Sequence, residues 1–119
     1  MRDLIFMECG PKAAEQAELW AGGALARAGV PEAEAAAAAA RLAEGVRAAA
    51  AAFEAQGGAG RPQSMLVLSD EGGRLSFELV ADGRLPRNAA CACGDGAWTP
   101  ADRAAAGDGA VRLTMAAVA

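Results

Sequence analysis

The stretch from Pro31 to Gln56, most of it alanine, constrains the fold more than any other part of the chain. Alanine has the highest helix propensity and loses no side-chain entropy on folding, so the stretch predicts one long helix. Pro31 suits the first helical position, and Glu32 and Glu34 lie at the favourable end of the helix dipole. The larger apolar residues, Leu42, Val46 and Phe53, are spaced by four and seven and form one narrow stripe for the core. The opposite face carries Ala33, Ala37, Ala40 and Ala51 around Glu44. A solvated face normally carries more charge, so the long loop, the first helix or a second subunit is expected to cover it.

The remaining segments are shorter. Leu4 to Cys9 reads as a strand ended by Gly10-Pro11, and Lys12 to Ala28 as a helix capped by Gly29. Gly22-Gly23 inside that helix costs about 1 kcal/mol per glycine relative to alanine, which points to close approach of another backbone. Gly57 to Pro62 is a loop. Met65–Leu68 and Leu75–Ala81 form a hairpin across Asp70-Glu71-Gly72-Gly73. Leu75, Phe77, Leu79 and Ala81 alternate with Ser76, Glu78 and Val80, so one face of the second strand is buried. From Asp82 to Gly109 the chain reads as a long loop with one helical turn near Pro100 to Ala106, and Ala110 to Val118 as a closing strand. The fold class is α+β: a two-layer sandwich with a mixed four-stranded sheet and two main helices on one face. The single domain spans 1–119, with a lid-like loop at 84–109.

Composition narrows the chemistry. With 119 residues and 54% hydrophobic side chains, more than half of them alanine, the chain builds one core packed closely on methyl groups. His and Tyr are absent, which excludes nucleophiles activated by an imidazole, His-containing zinc sites and phosphohistidine relays within this chain. A net charge of -4 gives no electrostatic reason to expect nucleic acid or an anionic membrane as partner. No apolar run is long enough to span a bilayer, and the N-terminus lacks the pattern of a signal peptide. Three cysteines, an odd number, are expected as free thiols in a reducing cytoplasm. Cys91-Ala92-Cys93 could instead be a redox pair or half a metal site, although zinc wants four ligands. Trp98 is either a tether for the loop or an exposed anchor for a partner. Ten arginines against one lysine, with abundant Ala and Gly, match the usage of a GC-rich bacterial genome.

Several segments in order resemble one family. They are Cys9-Gly10-Pro11, Ala28-Gly29-Val30-Pro31-Glu32, Arg41-Leu42-Ala43-Glu44-Gly45-Val46, Phe77 to Pro86, and Gly109-Ala110-Val111-Arg112-Leu113-Thr114-Met115. Together they resemble the small ATPase-fold serine kinases that act as bacterial anti-sigma factors. These belong to the GHKL (Bergerat-fold) superfamily of gyrase, heat-shock chaperone, histidine kinase and MutL. The resemblance implies a histidine-kinase ATPase-like fold. It also implies a Glu and an Asn four residues apart on the second helix, the Glu as general base and the Asn on Mg²⁺. Glu44 matches the first, but Ala48 stands in the second position, and a methyl group cannot bind a hard cation. The family's adenine-binding D-x-G-x-G aligns Gly83 with the first glycine, which puts Ala81 at the Asp and Leu85 at the second glycine, with Asp82 one residue away. Gly94-Asp95-Gly96 is the nearest counterpart of the glycine box over the phosphates.

Magnesium, adenine and phosphate contacts are thus altered together. The expectation is a non-catalytic regulatory module without a cofactor that docks a protein: a sigma factor, an anti-sigma antagonist or a second copy of itself. One alternative is a divergent serine kinase that binds ATP with Mg²⁺ through Glu44, Asp82 and Gly83. Another is a ligand-free subunit of a signalling complex. On plainer readings, Glu44 is a surface residue at three-residue spacing from Arg41 and Arg47, and Asp82 a turn residue before Gly83.

Overall fold

The computed structural model describes residues 2–8, 10, 12–55, 63–82, 99–100 and 110–116. The order is β1 (Arg2–Glu8), α1 (Ala13–Arg27), α2 (Glu32–Ala55), β2 (Gln63–Glu71), β3 (Arg74–Asp82), β4 (Thr99–Pro100) and β5 (Ala110–Ala116). This is a small α+β fold of two helices on an antiparallel sheet built on β1, β2 and β3. Among the described residues no helix is long and apolar enough to cross a membrane.

The sheet order is β1-β2-β3-β5-β4, and every described pairing is antiparallel, not mixed. The reason lies in the connection. Two helices packed as a hairpin carry the chain from the end of β1 back along α1 and forward again along α2. The chain therefore enters β2 where β1 stopped and must run the other way. Thr99 and Pro100 lie opposite Thr114 and Leu113 as a short strand at the edge of the order, where a proline is tolerated, and the rest of the helical turn expected near Pro100 to Ala106 lies outside the described residues.

Local chemistry sets the ends of these elements. Helix α1 closes through Gly29, whose φ of 87° only glycine adopts readily. The Val30 N–H donates to the Leu25 carbonyl and the Gly29 N–H to that of Ala26, both at 3.0 Å, the paired bonds of a Schellman cap. Pro31 lies just outside α2 instead of within its first turn, and its carbonyl accepts the Ala35 N–H at 2.8 Å. In the hairpin, Glu71 still pairs with Arg74, so the turn shrinks to Gly72-Gly73, with φ of 61° and 84°. Positive φ at both positions matches the twist of the flanking strands, and the Gly73 N–H donates to Asp70 Oδ1 at 3.1 Å.

The sheet face toward the helices carries Met7, Leu66, Leu68, Phe77 and Leu79, all buried, with Leu66 opposite Leu79 and Leu68 opposite Phe77. The helices answer with Ala17, Ala21, Ala24 and Leu25 from α1 and Ala38, Leu42, Val46 and Ala49 from α2. Trp20 tilts against Phe77 with ring centroids 5.9 Å apart. Ser64, the buried polar residue of this core, donates its hydroxyl to the Met7 carbonyl at 3.0 Å.

Two expectations about the helices need correction. Gly22 and Gly23 do not mark a close approach. A Cβ on Gly22 would meet nothing within 4 Å, and one on Gly23 would meet only Arg27 Nη1 at 3.3 Å. The face of α2 bearing Ala33, Ala37, Ala40, Glu44 and Ala51 is exposed in the single chain, so α1 does not cover it, and the 84–109 loop apart from Thr99–Pro100 lies outside the described residues. The buried side of α2 is also broader than a narrow stripe, running through Ala35, Ala39, Ala43 and Ala49 as well as Leu42 and Val46. The Phe53 side chain lies outside the described residues.

Candidate functional site

Glu44 and Ala48 sit one turn apart on α2, a helix whose rotation is fixed by burial of Leu42 and Val46. That rotation turns Glu44 to solvent, between the equally exposed Arg41 and Arg47. Ala48 falls differently: it is half-buried, and its methyl packs against the hydrophobic core. The position at which the resemblance implies a magnesium-holding amide is therefore an apolar contact. A carboxylate in water one turn from a methyl group lacks the second oxygen ligand that a hard cation needs. Among the described residues no group of three or more acidic or cysteine side chains could hold a metal ion.

On the sheet, β3 continues through Asp82, which pairs with Ala110 as a strand residue and not as a turn. Ala81 pairs with Ser64 and Val111. Gly83, Leu85, Cys91, Cys93, Gly94 to Gly96, Trp98 and the 84–109 loop apart from β4 lie outside the described residues. The nucleotide site implied by the resemblance is thus described only from its α2 side and the end of β3.

A different surface was not flagged by the sequence. Leu4 and Phe6 project from β1 away from the helices and are 45% and 73% exposed, and Leu19 on α1 is 83% exposed. Phe6 and Leu19 line a groove of about 420 Å³ together with Ile5, Met7, Gln16 and Trp20. A second groove of about 670 Å³ lies at the turn between the helices, beside Gly22, Gly29 and Ala35. Neither groove includes Glu44 or Ala48. The signal that could have found the first surface is the alternation in β1: Ile5 and Met7 face in, which leaves Leu4 and Phe6 facing out.

Electrostatics at this end fix β1 to α1. Arg27, in the last turn of α1, donates a hydrogen bond from Nη2 to Asp3 Oδ2. That guanidinium holds the Asp3 carboxyl below its ordinary value of 3.8. The Trp20 indole also favours the charged carboxylate, but it falls short of hydrogen-bonding geometry, so Nε1 is buried without a hydrogen-bond partner among the described residues.

No protein-family model matches this chain, and no curated protein matches it.

Proposed function

We propose that the chain is a non-catalytic, protein-binding regulatory module of the anti-sigma-factor and histidine-kinase ATPase-like kind. The observation that carries this reading is Ala48, packed on the core one turn from an exposed Glu44. Catalysis by a fold of this kind needs a base and a metal ligand on the same open face, and here one partner is a methyl group turned inward. The element order supports the resemblance: a strand, two helices, a hairpin and a closing strand. Protein docking is supported by Phe6 and Leu19, which are exposed and line one groove, because large apolar side chains grouped in water mark interaction surfaces. The resemblance makes a sigma factor or an anti-sigma antagonist the natural regulatory partner.

Calorimetric titration with ATP, with and without Mg²⁺, and a parallel melting experiment test the reading. A ligand at 100 times its dissociation constant stabilises a fold by about 2.7 kcal/mol, which melting detects readily. The expected result is no heat and no shift at millimolar ATP. Binding that requires Mg²⁺ overturns the reading in favour of the kinase alternative, with Glu44→Ala as the next variant.

A further inference from the structure

We draw no further inference here: the strongest candidate, the apolar groove that Phe6 of β1 lines with Leu19 and Trp20 of α1, belongs to the surface already described, and nothing in the structure shows what covers it.

Discussion

Gly22→Ala should stabilise this protein, although the residue lies within the layer of helices that builds the core. Gly22 is in the interior of α1, with helical backbone and without a positive φ. A methyl group placed there meets nothing within 4 Å, so the substitution brings no steric cost. What remains is the backbone term: glycine in a helix interior is about 0.8–1.0 kcal/mol less favourable than alanine, much of it through the freedom of the unfolded chain. For a chain of this length the gain corresponds to a rise of roughly 3–5 °C in melting temperature. Gly23→Ala is the internal control. Its methyl would lie 3.3 Å from Arg27 Nη1, so the guanidinium that binds Asp3 must shift, and the gain should be smaller. Urea unfolding followed by circular dichroism measures both. A loss of stability in Gly22→Ala would refute the reasoning, because it would mean that another backbone does approach α1 there.

Leu42→Ala should cost about 2–5 kcal/mol in the same assay, since Leu42 is fully buried between helix and sheet and alanine leaves a cavity. The Asp3–Arg27 pair predicts a pH dependence. Asp3 titrates lower in the folded chain than in the unfolded one, so the pair stabilises above 3.8, and the gain is lost as pH falls through the lowered value. Comparison of the chain with Asp3→Asn across pH should show a difference at neutral pH that vanishes in acid and shrinks with salt, because Arg27 is 61% exposed.

The elements were legible where local chemistry and burial agree. Alanine and a glycine cap place α1 and α2, alternation places β3, and Gly72-Gly73 places the hairpin turn, because each signal acts within a few residues. β2 outgrew Met65–Leu68 because Ser64 and Ser69 are held by pairing on both flanks, Gln63 by β1 and Asp70 by β3, which polar sequence does not announce. The direction of the sheet was not legible either, since it follows from how two helices stack. Gly22-Gly23 misled because a helical glycine looks the same in sequence whether a neighbour needs the space or nothing does. At the candidate site, Glu44 and Ala48 could be named from spacing, but that one faces water and the other the core depends on the rotation that Leu42 and Val46 impose.

That rotation also reweighs the two exposed surfaces. The sequence drew attention to the alanine face of α2, which carries too little charge for a solvated helix. Yet an exposed alanine leaves only a methyl group in water, worth about 0.8 kcal/mol at most, and its helix propensity is the best available. Ala33, Ala37 and Ala40 therefore require no partner: a helix can keep them open and still gain from them. Phe6 and Leu19 are a different matter, because burial of such a side chain is worth about 1.5–3 kcal/mol. In a chain whose apolar residues are mostly alanine, large side chains are scarce, and the core uses them at Leu25, Leu42, Leu66, Leu68, Phe77 and Leu79. Leaving Phe6 on the edge strand and Leu19 beside the same groove forgoes burial that the core could have used. Covering Phe6 and Leu19 would thus gain more per side chain than covering the alanine face.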